Sequence, residues 1–319
     1  MPRAPKKETN SISATPFRSG YIAILGRPNV GKSTLLNRVL GEKISIVSDK
    51  PQTTRNRIVG IHNVARGSVQ APGGAQVVFL DTPGIHKGRD QFNKWMVDQA
   101  LSTLGEVDLA MMVVEMNNLP GAGDQWIADA IKESGRPAIL AANKVDLVPE
   151  ELRQKKTLAY LELAQFSSVA QVSATTGEGI DALLDEVVAR VPDGPQYFPD
   201  DQLTDIPERF LASEIVREKV FHSLKQEMPY AVAVLTDEFR EESDRVHIEC
   251  TMYVERESQK GILIGKAGTM LKTIGTAARI DLEKMLATKV VLKLWVKVKP
   301  DWSRDPNALD ALGYGNDRK

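Results

Sequence analysis

The chain has one cysteine, four histidines and no long apolar run. Cys250 has no partner for an internal disulfide, so nothing requires an oxidising compartment. It lies in an alternating apolar stretch, which suits a buried, inert thiol better than a nucleophile. His62, His86, His222 and His247 are scattered and show no metal-ligand spacing with Cys250. The longest uninterrupted apolar run, Leu109–Val114, falls far short of the ~20 residues that span a bilayer. The basic N-terminus has no apolar core behind it of the kind secretion uses, so the expected location is the cytoplasm. Net charge is also nearly absent: 41 Lys and Arg against 42 Asp and Glu give −1. That balance excludes a chain coated with positive charge for indiscriminate nucleic-acid binding, but it leaves room for a local patch.

What is present is an ordinary globular composition, 42% hydrophobic and 26% charged, in 319 residues, long enough for about two domains. Residues 1–19 are rich in Pro, Lys, Ser and Thr and read as a disordered tail. From Gly20 onward, short apolar runs alternate with helical periodicity. Strands are expected at Tyr21–Leu25, Ile58–His62, Val77–Asp81, Leu109–Glu115, Ala138–Asn143 and Val169–Val172. Helices are expected at Lys32–Leu40, Phe92–Leu104, Ala122–Ser134, Glu150–Gln165 and Ile180–Val191. This alternation predicts an α/β domain over residues 20–191, a mostly parallel sheet with helices on both faces. The Pro72-Gly73-Gly74 turn joins the second and third strands as a hairpin. Four prolines between 192 and 208 suit a semi-rigid linker. Residues 209–302 then read α-β-β-α-α-β, a smaller α+β module: a helix over Glu208–Gln226, strands at Ala231–Phe239 and Val246–Glu255, a helix broken at Gly265–Gly268 and continuing to Leu286, and a strand at Val290–Val298. Residues 303–319 form a C-terminal extension.

Gly26-Arg27-Pro28-Asn29-Val30-Gly31-Lys32-Ser33, followed by Thr34, fits the phosphate-loop pattern between a strand and a helix. Such a loop points backbone N–H groups at phosphate at the positive end of a helix dipole. Lys32 is placed to bridge the β- and γ-phosphates, and the Ser33 hydroxyl to ligate Mg²⁺. Asp81-Thr82-Pro83-Gly84 ends the third strand, with Asp81 suited to hold the Mg²⁺ shell through water and the Gly84 amide to approach a γ-phosphate. In Asn143-Lys144-Val145-Asp146 the chemistry selects the base. A carboxylate at Asp146 accepts from guanine N1–H and the exocyclic amine, a donor pair that adenine lacks, and a site built for such donors discriminates by ~10⁴–10⁵. An ATPase would require this tetrapeptide to be coincidental. Asn143 reaches the base or ties its loop to the phosphate loop, and the Lys144 stem covers the ring face. Ser173-Ala174 follows another strand and is suited to set the Ala174 N–H against guanine O6. In order, at strand ends, these motifs resemble the GTP-binding set of the translation-factor-related small GTPases.

The loop Lys50-Pro51-Gln52-Thr53-Thr54-Arg55 reads as a switch in which a threonine joins the Mg²⁺ shell when the γ-phosphate is present. Ras-like GTPases orient the attacking water with a Gln directly after Asp-x-x-Gly, but here that position is Ile85. Slow unaided hydrolysis is therefore expected. Asn29 motivates a K⁺ ion beside the phosphates in place of an arginine finger.

In the second module, Lys260, Ile262 and Ile264 lead into Gly265-Lys266-Ala267-Gly268, with Lys272 beyond. A Gly-x-x-Gly break between helices, approached by apolar residues, marks a KH domain, in which the nucleotide backbone comes close to the glycines and a groove holds about four unpaired bases. The element order resembles the type II KH fold. From Lys260 to Lys299 nine basic residues face only Asp281 and Glu283, whereas Asp237–Glu257 holds eight carboxylates against three arginines. One surface attracts phosphate and its neighbour repels it.

A phosphate-loop GTPase domain joined by a Pro-rich linker to a type II KH domain resembles the Era family of bacterial GTPases. The resemblance runs from about Gly20 to Trp302 and includes Gln52-Thr53-Thr54-Arg55, Ser258-Gln259-Lys260-Gly261 and Lys293-Leu294-Trp295-Val296-Lys297-Val298-Lys299. Ala267 departs from it, standing where the family often has a third glycine. The resemblance selects Thr54 over Thr53 as the switch threonine. It implies Lys32, Thr54 and Gly84 as the catalytic set, with Ser33, Thr54 and Asp81 around Mg²⁺. It also implies binding near the 3′ end of small-subunit ribosomal RNA, a part in small ribosomal subunit assembly, and some peripheral association with the inner face of the cell membrane. A monomer whose RNA grip is gated by GTP and GDP is expected. Two other readings stay open: a GTPase of the same superfamily acting on another RNA, such as a transfer RNA or the large subunit, and a membrane-surface regulator whose second module binds protein or lipid.

Overall fold

The computed structural model describes residues 15–48, 54–85, 91–224 and 232–314. Most of the tail, Lys50–Thr53 of the switch loop, His86 and the last five residues fall outside that set.

The first layer of structure follows the apolar runs. Strands β1 (Arg18–Leu25), β2 (Ile58–Val64), β3 (Ala75–Asp81), β4 (Leu109–Glu115), β5 (Ala138–Asn143) and β6 (Ser168–Gln171) form one sheet in the order β2-β3-β1-β4-β5-β6. Every pairing is parallel except the β2–β3 hairpin. β3, β4 and β5 are buried almost throughout, as continuous apolar strings in a doubly covered parallel sheet must be. Helices α1 (Lys32–Leu40) and α5 (Ile180–Val188) cover one face, and α2 (Gln91–Glu106) and α3 (Ala122–Ser134) cover the other, each over its own apolar cluster. Helix α4 (Glu150–Leu161) ends four residues before the expected Gln165.

The Pro-rich segment is an edge strap rather than a free spacer. Ile61 N–H donates to Leu203 O at 2.8 Å and the Thr204 hydroxyl to Val59 O at 2.6 Å. The buried Gln76 side chain accepts from the backbone N–H groups of Tyr197 and Phe198. The unpaired rim of β2 is thereby capped, which removes an exposed strand edge.

The second layer contains α6 (Glu208–Ser223), β7 (Ala233–Glu241), β8 (Arg245–Val254), α7 (Glu257–Ile264), α8 (Thr269–Leu286) and β9 (Lys289–Val298). The sheet order is β7-β8-β9, antiparallel then parallel, with the helices packed on one face around Ile248, Cys250, Met252, Leu263 and Ile274. Cys250 is fully buried, and that burial pushes its thiol up to about 11. The C-terminal stretch has structure of its own. Helix α9 (Pro306–Ala311) is capped by the Asp305 side chain and packs with Trp302, Leu312 and Tyr314 against Ala233 and against Met96 of α2. Both modules therefore contribute to its environment. Among the described residues, no helix is long and apolar enough to cross a membrane.

Candidate nucleotide site and RNA groove

The first site gathers at the C-terminal ends of β1, β3 and β5, the edge where parallel α/β sheets bind ligands. After Leu25 the chain turns through Gly26–Gly31 into α1. Asn29 sits in the left-handed region at φ 64°, and Gly31 at φ 98° lies so close to the Asn143 amide that a Cβ has no room. Lys32 is 6% exposed and its Nζ donates to the Gly26 and Arg27 carbonyls at 3.1 and 3.0 Å. Burial lowers its ammonium to about 8, with Asp81 opposing the shift. Thr34 lines the same cleft, together with Pro28, Ser33, Thr54 and Gly84.

Three of the expected polar groups converge. Ser33 Oγ donates to Asp81 Oδ2 at 2.7 Å and lies 2.8 Å from Thr54 Oγ1. Ser45, which the sequence motifs do not mark, donates to the same carboxylate oxygen at 3.0 Å. Burial raises the Asp81 carboxyl against the opposing pull of Lys32 and these hydroxyls. Its other oxygen, Oδ1, is buried with no hydrogen-bond partner among the described residues. Two hydroxyls and a carboxylate with an unused lone-pair edge form the hard oxygen donor set that suits Mg²⁺. The turn after Asp81 is pinned to the phosphate loop: Thr82 Oγ1 donates to Ile24 O at 2.7 Å and Ile85 N–H to Gly26 O at 3.1 Å. Gly84 lies against Pro28, and Ile85 points into the apolar core at 1% exposure. The position directly after the turn therefore offers no polar side chain to orient water.

The base-reading loops are knitted to the phosphate loop by one side chain. Asn143 Nδ2 donates to Val30 O at 2.8 Å, and Asn143 Oδ1 accepts the Ala174 N–H at 3.0 Å. The N–H expected at guanine O6 is thus held by Asn143 here, and of the two roles open to Asn143 the structure displays the loop tie. Lys144, at φ 64°, stretches across the cleft to donate to Asn29 O and Glu115, both at 2.7 Å. Val145 is buried in a short 3₁₀ turn that leaves Asp146 exposed, and Ser173 is buried, its Oγ accepting the Thr176 N–H. Glu115 also faces Arg27, which in turn donates to the buried Asp124 at 2.9 Å. Lys144 beside Glu115 holds that carboxyl below its ordinary value, against the larger opposing effect of its own partial burial. A lone carboxylate ending the apolar β4 string was the one sequence signal for this network.

The second site lies at the α7–α8 junction. Gly265 at φ 72° and Gly268 at φ 77° frame the loop, and Ala267 between them is also left-handed at φ 51°. Lys266 and Ile262 are exposed, Ile264 is half-buried, and Lys260 lies 3.9 Å from Glu257. Lys272 lines a groove of about 390 Å³ running from Gly268 between α8 and β9. Its apolar walls come from Leu271 on the helix and Leu292 and Leu294 on the strand, and Arg279 closes its far end. These wall residues escaped the motif reading, because the fold alone brings α8 beside β9.

Known proteins agree with both halves. A family model described as "50S ribosome-binding GTPase" matches residues 21–144, and a KH-domain model matches 227–303. The chain is 54% identical over 305 residues to GTPase Era of Geobacter metallireducens, covering 95% of this chain and all of that protein. The chain belongs to the Era family of GTPases. GTPase Era of Syntrophus aciditrophicus is 49% identical over 93% of the chain and 95% of its own length. Two solved Era structures superpose with a TM-score of 0.88 at 37% identity. One is an Aquifex aeolicus Era variant bound to GDP·AlF4⁻, matching 93% of this chain and 99% of that one. The other is Era in complex with MgGDPNP and nucleotides 1506–1542 of 16S ribosomal RNA, matching 94% and 99%.

Proposed function

We propose that this Era-family GTPase is a GTP-gated RNA clamp. It binds small-subunit ribosomal RNA near its 3′ end through the module over residues 209–302 and acts in assembly and maturation of the small subunit. The observation that carries this is the near full-length likeness to the Era complex with MgGDPNP and 16S ribosomal RNA. The left-handed Gly265–Gly268 loop beside an apolar, lysine-edged groove supports it.

In this reading Lys32 leaves the Gly26 and Arg27 carbonyls for the β- and γ-phosphates. Asp146 accepts the guanine donors, and Asn143 keeps the base loops in register with the phosphate loop. Ser33, Thr54 and, through water, Asp81 hold Mg²⁺, which when bound neutralises phosphate charge. The Gly84 amide meets the γ-phosphate. With Ile85 buried, hydrolysis is slow without help, and GTP shifts a population between two arrangements rather than driving a stroke. Asn29 lies at the mouth of the cleft, where a K⁺ ion would stand beside the phosphates. Equal hydrolysis rates in K⁺ and Na⁺ buffers would remove that ion from the scheme.

The deciding experiment is RNA crosslinking and sequencing with GTP and then GDP bound. Crosslinks at the 3′ end of 16S ribosomal RNA that change with nucleotide are expected. The words "50S ribosome-binding" in the description of the matched GTPase model favour testing a second target, and crosslinks confined to large-subunit RNA would replace the first reading. Peripheral membrane association, expected from family resemblance, would be read by co-sedimentation with anionic vesicles.

A further inference from the structure

The residue after the switch threonine is the least expected feature of the fold. Arg55 is 0% exposed, an unusual place for a permanent cation. Its Nη1 donates to Val232 O at 2.8 Å and to Tyr314 Oη at 3.3 Å. The guanidinium stands 5.8 Å from the ring of Phe221 on α6, 6.0 Å from Trp302 and 5.7 Å from Tyr314. Trp302 and Tyr314 stack on each other at 5.9 Å. Every one of these partners lies at least 166 residues further along the chain, in or around the KH-domain module.

Two other ties flank it. Val47, just before the switch loop, lies 3.0 Å through its carbonyl from His222 Nε2 on α6. Lys43 reaches Glu218 on α6 at 2.6 Å and Asp281 on α8 at 3.0 Å. The described residues on either side of Lys50–Thr53 are thus tied to the second module, and Arg55 is the tie next to Thr54, whose hydroxyl is 2.8 Å from Ser33.

We propose that Arg55 is a positioning residue for the GTPase reaction, and that the Trp302–Tyr314 segment is the socket through which the nucleotide site and the RNA module sense each other. A desolvated guanidinium cannot leave its carbonyl and ring partners cheaply. When Thr54 shifts between nucleotide states, Arg55 therefore carries the socket with it. A shift of the module moves Thr54 in the same way. By linkage the two effects on affinity are equal. The inference rests on Thr54 meeting the triphosphate.

The test compares affinities for GDPNP and GDP in full-length protein. Arg55→Lys keeps the charge but loses the planar fork that matches two acceptors and three rings. Trp302→Ala and Tyr314→Phe act from the far module. Arg55→Lys and Trp302→Ala are expected to weaken GDPNP about tenfold relative to GDP, a usual size for coupling between sites, and Tyr314→Phe only about threefold, because the ring stays and a single long hydrogen bond of 3.3 Å is lost. GDP affinity should stay near wild type and serves as the control for folding. A GDPNP-to-GDP ratio at the wild-type value in Tyr314→Phe overturns the proposal even if Trp302→Ala fails to fold. RNA binding that ignores nucleotide in the wild type would sink the clamp and the sensing between the two sites with it, and the ratio would then test Arg55 only as a positioning residue.

Discussion

At the scale of single residues, the site separates side chains that organise protein from side chains that wait for ligand. Asn143 is 1% exposed and satisfies groups in two other loops, the Val30 carbonyl and the Ala174 N–H. Asn143→Ala strands both, at about 1–3 kcal/mol for each buried group left unmade. Chemical denaturation of nucleotide-free protein should register a loss of about 2–6 kcal/mol, together with weaker GDP binding. Asp146 is exposed one turn away. Asp146→Asn should leave the denaturation midpoint within error while lowering GTP affinity by at least ~10²-fold, because an amide N–H then meets guanine donors. Equal stability losses in the two variants would contradict this division. Cys250 offers a pH test. Its folded thiol is raised to about 11 by burial, above the unfolded value of ~8.5. Stability from the protonated thiol is therefore complete below about pH 8.5 and is lost as pH climbs toward 11. A thiol reagent at pH 8 should leave folded protein unmodified and label one group per chain after unfolding.

At the scale of elements, the two glycines of the α7–α8 loop carry different burdens. A Cβ on Gly265 would meet the Met270 backbone nitrogen at 2.8 Å, whereas nothing stands within 4 Å of one on Gly268. Gly268→Asp should then cost only the left-handed penalty of about 1–2 kcal/mol and still abolish RNA binding by placing a carboxylate where phosphate passes. Gly265→Asp should lose more stability and be the poorer probe. Differential scanning calorimetry beside filter binding separates the two. Ala267 pays the same left-handed penalty, so Ala267→Gly should raise the melting temperature modestly. The sequence announced these elements well, because strand and helix periods, phosphate-loop glycines and Gly-x-x-Gly are local patterns. It did not announce the strap over β2, the α8–β9 groove walls or the Arg55 socket. Each depends on residues more than a dozen positions apart that meet only after the sheet has formed, and an arginine in a polar switch motif reads as exposed until Phe221, Trp302 and Tyr314 close around it.

At the scale of the whole molecule, a net charge of −1 decides how RNA binding responds to salt. With no global positive field, attraction must come from the few cations that the groove leaves near phosphate. Arg279 donates to Glu283 at 2.7 Å and Lys293 to Glu249 at 2.6 Å, so both are partly neutralised at home. Lys43 and Lys219 are spent on Asp281 at the junction between modules. That leaves Lys266 and Lys272 beside the loop and groove, with Lys260 only loosely paired to Glu257 at 3.9 Å. Each phosphate neutralised on a single strand contributes about −0.7 to the slope of log K against log salt. Three such contacts predict a slope near −2, shallow for a nucleic-acid-binding protein. Lys266→Gln should bring it to about −1.4 and weaken every sequence alike, whereas Leu294→Ala, which trims an apolar wall, should weaken binding with the slope unchanged. A slope of −5 or steeper would mean that RNA spreads over far more of the surface than the groove, and that cations such as Lys297 and Lys299 on and after β9 take phosphate as well.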